Sequence, residues 1–161
     1  MSLIYLEDNF ITRGQSMSII DHYKSNLNSV YNHNLTYPLP INLDKCSNSL
    51  IQTITNKITD KCKMFDNNVE IQNLEIVKWP FNSRLNYHID EDLDDVFAAI
   101  LYLNDNFWGG QTAFDTFQIN PKIGRLLIFS NRHYKHSVRR VKFNSRYTLS
   151  AWYVKTLEGG L

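Results

Sequence analysis

The hydrophobic pattern of this chain changes its period once, near residue 66, and this change most narrows the folds available to it. Before it, apolar residues recur at the spacing of amphipathic helices. The two stripes are Met17, Ile20, Tyr23 and Leu27, and Ile51, Ile54, Ile58, Cys62 and Phe65. After it, β-favouring residues dominate with a period of two, in about seven short runs separated by turn residues. The runs lie near residues 69–78, 84–90, 95–103, 111–119, 124–130, 135–143 and 146–154.

The order of these segments predicts the fold class. Because no helical pattern lies between the strands, the sheets should be antiparallel, unlike the parallel sheet of an α/β protein. We therefore expect a mainly β (α+β) protein, a double-stranded β-helix (jelly roll) with N-terminal supporting helices. One domain would span residues 1–161, with helical support in 1–66 and the jelly-roll core in 67–155. Jelly rolls commonly hold a ligand in their open mouth.

Two features of the N-terminal segment add detail. The second helix has Ser47, Asn48 or Ser49 available as its N-cap. Residues 37–41 contain two prolines, which forbid a helix, and are predicted to form an extended connector.

Length, charge and cysteine content limit the kind of protein. A chain of 161 residues, 43% of them apolar, can build one core but not a second large domain. Its 17 basic and 16 acidic residues give a net charge of +1, so no global field attracts nucleic acid or an anionic membrane. The apolar runs are shorter than the roughly 18 to 20 residues that span a bilayer, and the N-terminus lacks a basic signal-peptide region. We therefore expect a cytoplasmic protein without membrane segments. Two cysteines, Cys46 and Cys62, argue against a disulfide scaffold or a structural zinc site.

The segment around His88 holds the first candidate metal ligands. In a strand, residues two apart point to the same face, so His88 and Asp90 present an imidazole and a carboxylate to one point. A His-x-Asp triplet also occurs by chance in many proteins, so it is weak evidence alone. A third ligand is available downstream at His136. His133 competes for that role, but it falls in the loop after Ser130 and is predicted to lie on the surface.

The last predicted strand carries a charged residue whose position decides its role. Alternation places Arg146, Thr148, Ser150 and Trp152 on one face. If that face lies inside the barrel, burying the guanidinium costs several kcal/mol unless an anion meets it. A carboxylate bound in a bidentate manner would meet it well, with the Thr148 hydroxyl as a further donor. The alternative is that Arg146 lies at a strand end and extends its charge into water, and the residue taken alone favours this.

Several motifs in order give the chain a resemblance to a known family. They are His88-x-Asp90, Tyr102-Leu-Asn104, Trp108-Gly-Gly-x-Thr112, Pro121-x-x-Gly124-Arg-Leu-Leu-x-Phe129, His136-x-Val138, Arg146-x-Thr148 and Trp152. Two histidines and one carboxylate leave three positions of an iron open, which is the facial triad of non-haem Fe(II) oxygenases. The whole pattern resembles the Fe(II)/2-oxoglutarate dioxygenases of the prolyl 4-hydroxylase type and covers roughly residues 75–155.

The resemblance implies a role for each matching residue. His88, Asp90 and His136 match the iron ligands. Asp90 also favours hydroxylation over halogenation, because related halogenases lack this carboxylate. Arg146 matches the basic residue that pairs with the far carboxylate of 2-oxoglutarate.

At three further positions the role implied by the resemblance has an alternative. Tyr102 matches a tyrosine that hydrogen-bonds the same carboxylate in hypoxia-sensing members, and its predicted face, shared with Val96 and Ala98, makes an inward hydroxyl plausible. The alternative is a core aromatic residue whose hydroxyl bonds to the backbone. Thr148 is a candidate of the same kind. Trp152 is expected to line the pocket beside the iron, with a purely core role as its alternative.

The chain also departs from the family pattern. Trp79 and Asn82 stand where many members have a tyrosine and a glycine, so the hydrogen bond of that tyrosine is predicted to be lost. Gln111 replaces a glutamate, which removes a charge near the mouth. Arg146 replaces the lysine of the collagen-type enzymes, which leans towards the bacterial and sensing branches. These changes bear on the substrate more than on the reaction.

The implied activity is an Fe(II)- and 2-oxoglutarate-dependent hydroxylase that uses O2, releases succinate and CO2, and takes ascorbate as an optional reductant. A proline of a peptide or protein is the leading substrate. The same chemistry on a small molecule or on another side chain is an alternative. Nucleic-acid repair is disfavoured, because Arg140 follows His136 too closely for the paired arginines of alkylation-repair enzymes. A cupin-like module that binds a metal or ligand without turnover is the alternative from another class.

Overall fold

The structure of the protein is a computed structural model that describes residues 2–29, 37–90 and 95–157. Within these ranges it contains two α-helices, one 3-10 helix and twelve β-strands. The helices are α1 (Arg13–Ser25) and α2 (Ser49–Phe65), with the 3-10 helix at Leu27–Ser29. The strands are β1 (Ile4–Glu7), β2 (Leu39–Asn42), β3 (Val69–Trp79), β4 (Leu85–His88), β5 (Asp95–Tyr102), β6 (Trp108–Gly109), β7 (Thr112–Ala113), β8 (Gln118–Ile119), β9 (Leu126–Ser130), β10 (His136–Val138), β11 (Val141–Lys142) and β12 (Arg146–Lys155).

These strands form antiparallel sheets that pack face to face. The largest sheet has six strands in the order β1-β9-β5-β12-β3-β2, and the second has four in the order β4-β10-β7-β8. A two-stranded ribbon pairs β11 with β6. Buried residues of the two larger sheets share one cluster, in which Val77 of β3 lies with Val138 of β10. The mainly β jelly-roll class predicted from the sequence is confirmed.

The second helix follows its sequence pattern closely. Its buried residues are Ile51, Ile54, Ile58 and Cys62, and Phe65 packs partly buried against the same core. Of the three candidate caps, Asn48 is the N-cap, because its side-chain oxygen accepts a hydrogen bond from the backbone N–H of Ile51 at 3.1 Å. The predicted stripe of α2 is confirmed.

The predicted stripe of α1 is only half right. Ile20 and Tyr23 are buried, but Met17 is 45% exposed and Leu27 is 56% exposed. The buried face instead contains Ser16 and Ile19, at the regular helical spacing from Tyr23. Because one position of the buried face is a small serine and not an apolar residue, the apolar pattern alone predicted a face that is rotated relative to the buried one. The Tyr23 hydroxyl donates to the carbonyl oxygen of Leu39 at 2.9 Å and ties α1 to β2.

The N-terminal segment also contributes two strands that the sequence pattern did not predict. Strands β1 and β2 form the two edges of the six-stranded sheet. Strand β2 lies in the segment predicted to be an extended connector. Its Pro40 is compatible with the sheet because an edge strand leaves one side of its backbone unpaired.

Two predicted strand runs are divided in the structure. The run 111–119 becomes a tight hairpin of β7 and β8, closed by a hydrogen bond from the Phe114 N–H to the Phe117 carbonyl at 2.8 Å. The run 135–143 leaves the four-stranded sheet after β10 and joins the ribbon as β11. Such changes of sheet are set by long-range pairing, which a local pattern does not contain.

The two faces of β12 bury different kinds of residues. Leu149, Ala151 and Tyr153 belong to the core shared with α1 and α2. Arg146, Thr148, Ser150 and Trp152 share the other face, as the alternation predicted, and this face lines a cavity between the two larger sheets. Strand β5 alternates less regularly. Its pairing with β12 shifts register next to Tyr153 of β12, and Val96 therefore packs against the core shared with the helices, on the opposite side from Ala98.

Neither helix of the described part of the chain has the length and hydropathy required to cross a bilayer.

Candidate metal centre

Three potential metal ligands come together where β4 and β10 pair. His88 is the last residue of β4, His136 is the first of β10, and the two lie opposite each other in the ladder. Their ring centroids are 4.3 Å apart. Asp90 completes a group whose ligand atoms all lie within 4.8 Å of one another. Elsewhere in residues 2–29, 37–90 and 95–157, no three His, Cys, Asp or Glu side chains come together in this way.

The backbone orients both imidazoles. Nδ1 of His88 lies 2.7 Å from the carbonyl oxygen of Asn86. Nδ1 of His136 lies 3.4 Å from the carbonyl oxygen of Tyr134. A carbonyl oxygen only accepts hydrogen bonds, so Nδ1 of each ring is the donor. Nε2 of each ring then faces Oδ1 of Asp90, at 3.2 Å from His88 and 3.5 Å from His136, where it can bind a metal.

The Asp90 carboxylate is held from its other side. The indole Nε1 of Trp152 donates a hydrogen bond to Oδ2 at 2.8 Å, which leaves Oδ1 towards the histidines. Burial acts to raise the pKa of the Asp90 carboxyl, but its contacts with His136, His88 and Trp152 outweigh it and hold the pKa below its usual range. Asp90 is therefore an anion at neutral pH, as a metal ligand must be.

The chemistry of this donor set suits iron(II). Two imidazole nitrogens and one carboxylate oxygen, with no thiolate, form the set that non-haem iron oxygenases use, and they leave coordination positions open. The His136 side chain is 8% exposed and that of His88 is 28% exposed, so the group is accessible from one side.

That open side borders a cavity of about 170 Å³ between the two larger sheets. Its wall along β12 is the row from Arg146 to Trp152, with Trp152 in contact with Asp90 and Arg146 at the opposite end. Most of the remaining wall is apolar and comes from both sheets, namely Val77, Leu85, Ala98, Ile100, Phe129 and Val138. An apolar cavity with a few convergent polar groups is the usual form of a small-ligand site.

Arg146 is the most unusual of these polar groups. It is 1% exposed, so its charge does not reach water as the alternative proposed. Among the described residues no carboxylate lies within ion-pair distance of it, and its Nε has no hydrogen-bond partner. Burial lowers the pKa of the guanidinium. A buried, unpaired cation beside a cavity is costly by itself and suits an anionic ligand.

One hydroxyl group bonds directly to the guanidinium. Nη2 of Arg146 donates to Oγ1 of Thr112 at 3.3 Å. The Thr112 hydroxyl also shares a 2.5 Å hydrogen bond with the hydroxyl of fully buried Tyr102, so the alternative of a backbone partner for Tyr102 does not hold. Thr148 is buried on the same face as Arg146, with its Oγ1 3.2 Å from Oγ of Ser150.

A family model described as "2OG-Fe(II) oxygenase superfamily" matches residues 74–154. This match covers half of the chain and contains all three candidate ligands and Arg146. The chain belongs to the 2OG-Fe(II) oxygenase superfamily. No curated protein matches the sequence of this oxygenase.

Solved structures show the same fold for this oxygenase. A prolyl-4-hydroxylase from Pseudomonas putida is 16% identical, with a TM-score of 0.81 over 96% of this chain and 93% of that chain. A viral collagen prolyl hydroxylase from Paramecium Bursaria Chlorella virus-1, in complex with 2OG, is 17% identical, with a TM-score of 0.74 over 96% of both chains. A prolyl hydroxylase from Trichoplax adhaerens, bound to a hypoxia inducible factor peptide fragment, is 19% identical, with a TM-score of 0.75 over 94% of this chain and 83% of that chain.

The structure of the oxygenase adds residues that were not assigned a role from the sequence. Thr112 belongs to the Trp-Gly-Gly-x-Thr motif, but its contacts with Arg146 and Tyr102 depend on the fold. Trp79 pairs directly with Arg146 in the ladder of β3 and β12, which places it at the same cavity. Only the family pattern, with its tyrosine at this position, pointed to Trp79.

Other positions singled out from the sequence lie apart from this site. His133 is exposed, as predicted, and is not part of the metal cluster. Asn82, in place of a glycine, has a φ of +74°, a conformation that asparagine adopts more readily than most residues. Its side-chain oxygen accepts a hydrogen bond from Arg140 at 2.5 Å on the surface.

Proposed function

We propose that this oxygenase is an Fe(II)- and 2-oxoglutarate-dependent hydroxylase whose iron is held by His88, Asp90 and His136. One observation carries the proposal. The three ligand atoms lie within 4.8 Å of one another and border the same cavity as the buried, unpaired Arg146. A dicarboxylic 2-oxo acid can chelate a metal through one end and offer an anion to Arg146 through the other.

In this proposal, the protein's own groups bind and orient the reactants. Arg146 holds the far carboxylate of 2-oxoglutarate, with the hydroxyl of Thr148, on the same cavity wall, as a further donor. The hydroxyls of Thr112 and Tyr102, linked to each other and to the guanidinium, are candidate donors behind it. The apolar walls keep water away, which strengthens these charge interactions. When bound, iron(II) supplies the activation of O2 that couples decarboxylation of 2-oxoglutarate to hydroxylation of a C–H bond, with succinate and CO2 as co-products.

For the substrate, we propose a proline in a peptide or protein. Three proteins of the same fold carry the name prolyl hydroxylase, and one of them is bound to a peptide. A surface groove of about 440 Å³ supports this choice, because it borders His88 and so offers room beside the candidate metal ligands. Its lining residues are Tyr37, Asn82, Arg84, Leu85, Asn86, Tyr87, His88 and Arg140. Ascorbate as an optional reductant and a cytoplasmic location stay predictions.

The test of the reaction uses two histidine variants. The protein is incubated with Fe(II), 2-oxoglutarate, ascorbate, O2 and proline-containing peptides, and succinate formation and a gain of one oxygen atom by the peptide are measured by mass spectrometry. We expect His136→Ala to abolish succinate formation. The exposed His133, three residues away, offers the matched control, and His133→Ala should retain wild-type activity. Succinate production by His136→Ala at the wild-type rate would contradict the assignment.

The same experiment separates the alternatives. A cupin-like binding module would bind the metal and form no succinate with any substrate. A hydroxylase of small molecules or of another side chain would form succinate with its own substrate and leave proline peptides unmodified. Both outcomes would contradict the proline proposal. The absence of succinate with any substrate would contradict the enzymatic proposal as well.

A further inference from the structure

Trp79 brings a buried polar group to the cavity that the site described so far does not use. It is the last residue of β3, is 7% exposed and lines the same cavity as the three candidate ligands. Its indole Nε1 is buried and forms no hydrogen bond with any described residue. A buried tryptophan N–H normally has a partner, because leaving such a donor unsatisfied is costly.

A charged group that lies against this indole also has an N–H without a partner. The guanidinium carbon of Arg146 lies 5.1 Å from the centre of the Trp79 ring system, and Arg146 Nε is also buried without a partner. The two residues face each other directly across β3 and β12. Two neighbouring residues therefore each carry an N–H donor without an acceptor, and both residues line one cavity. A carboxylate that enters the cavity with a ligand would bring acceptors for these donors.

We infer that Trp79 binds 2-oxoglutarate by donating its indole N–H to the far carboxylate, next to Arg146. This inference rests on the proposed function. It also changes the interpretation of Trp79 as a departure from the family pattern. At this position Trp79 replaces the family's tyrosine, and a hydrogen bond was expected to be lost, but the tryptophan brings its own donor. Unlike a hydroxyl, the indole nitrogen cannot accept a hydrogen bond, so its role towards an anion is limited to donation.

The first test replaces Trp79 with phenylalanine, which removes the N–H and keeps an aromatic ring for the Arg146 guanidinium. Binding is measured by calorimetry on the Zn(II)-loaded protein, so that no turnover occurs. Two ligands are compared, 2-oxoglutarate and 2-oxopentanoate, which has a methyl group in place of the far carboxylate. We expect Trp79→Phe to weaken 2-oxoglutarate binding about tenfold or more, as for the loss of a hydrogen bond to a charged group, and to leave 2-oxopentanoate binding unchanged. Trp108→Phe is the matched control, because Trp108 is 72% exposed.

A second measurement uses the wild-type protein and does not depend on the stability of a variant. The indole N–H resonances of the Zn(II)-loaded, 15N-labelled protein are followed by NMR and assigned with tryptophan-to-phenylalanine variants. The Trp79 resonance should shift when 2-oxoglutarate is added and stay in place with 2-oxopentanoate.

The outcomes distinguish this inference from the function on which it rests. Equal loss of affinity for both ligands in Trp79→Phe, or no loss for either, overturns the role of Trp79 and leaves the oxygenase proposal intact. If the Trp79 resonance does not shift when 2-oxoglutarate binds, the role of Trp79 is likewise overturned and the oxygenase proposal is unaffected. If the wild-type protein does not bind 2-oxoglutarate at all, the proposed function itself fails.

Discussion

At the scale of single residues, the two oxygens of Asp90 have separate partners. Oδ1 faces the two histidines, while Oδ2 accepts the indole hydrogen bond of Trp152 at 2.8 Å. The indole thereby fixes the rotation of the carboxylate and directs one oxygen to the candidate metal position. Loss of a group that orients a metal ligand in this way typically weakens metal binding.

Trp152→Phe is therefore expected to weaken metal binding. The variant keeps the ring in the cavity wall and removes only the N–H, so we expect the Kd for Zn(II) or Mn(II) to rise roughly 10- to 100-fold. Titration of the purified, metal-free protein measures this. Trp108→Phe serves as the control for removing an exposed indole, and its affinity should equal that of the wild type. Unchanged affinity in Trp152→Phe would mean that the hydrogen bond does not position Asp90.

The predictability of the candidate site also differs from residue to residue. His88 and Asp90 share a face because of strand alternation, which the sequence shows directly. For Arg146 the residue alone favoured an exposed strand end, and only the ordered family motifs pointed inward. The unsatisfied Nε1 of Trp79 could not be predicted, since it depends on the pairing of β3 with β12, whose residues are far apart in the chain.

At the scale of elements, the turn between β6 and β7 shapes the Arg146 end of the cavity. Gly110 has a φ of +65°, where L-residues with a side chain are strained. A Cβ at this position would lie 2.8 Å from Cε2 of Phe107 and 3.1 Å from Cδ of Arg146. The first distance is below any normal contact, so a side chain here would displace the neighbours that fill this end of the cavity.

Gly110→Ala should thus impair the co-substrate end and spare the metal end. We expect the Kd for 2-oxoglutarate to rise by roughly an order of magnitude, the effect of losing one well-formed hydrogen bond to a charge, with the Kd for Zn(II) unchanged. Calorimetry with each ligand gives both values. Gly14→Ala is the matched control, because a Cβ there would meet only Oγ1 of Thr12, at 3.9 Å. An equal effect of the two alanines on 2-oxoglutarate binding would rule out this role of the turn.

Elements differ in how well a local pattern predicts them. Helix α2 was predicted correctly because four of its apolar positions are buried in one regular stripe. Helix α1 buries a serine within its face, so its stripe was assigned to Met17 and Leu27, which are exposed. Strands β1 and β2 were missed because short edge strands carry few residues and their pairing partners lie elsewhere in the sequence.

At the scale of the whole molecule, one core joins the N-terminal segment to the barrel. Ile54 and Ile58 of α2 lie in the same buried cluster as Leu149 and Tyr153 of β12. The Tyr153 hydroxyl shares a 2.9 Å hydrogen bond with Thr59 of α2. The jelly-roll class follows from the change of hydrophobic period, but this joint core, and the sheet order with β1 and β2 at its edges, follow only from long-range packing.

A fragment of residues 67–161 is therefore expected not to fold on its own. It would retain the candidate ligands, but it would expose the face of the six-stranded sheet that α1 and α2 cover, and it would lose both edge strands. A large exposed apolar face favours aggregation or a loosely packed state. We expect the fragment to bind a hydrophobic dye, to lack a near-UV circular dichroism signal and to show no cooperative thermal transition. The full chain with His136→Ala is the control, because it loses a candidate ligand and keeps the joint core, and it should unfold cooperatively. A sharp thermal transition of the fragment would show instead that residues 1–66 are dispensable support around a barrel that is stable alone.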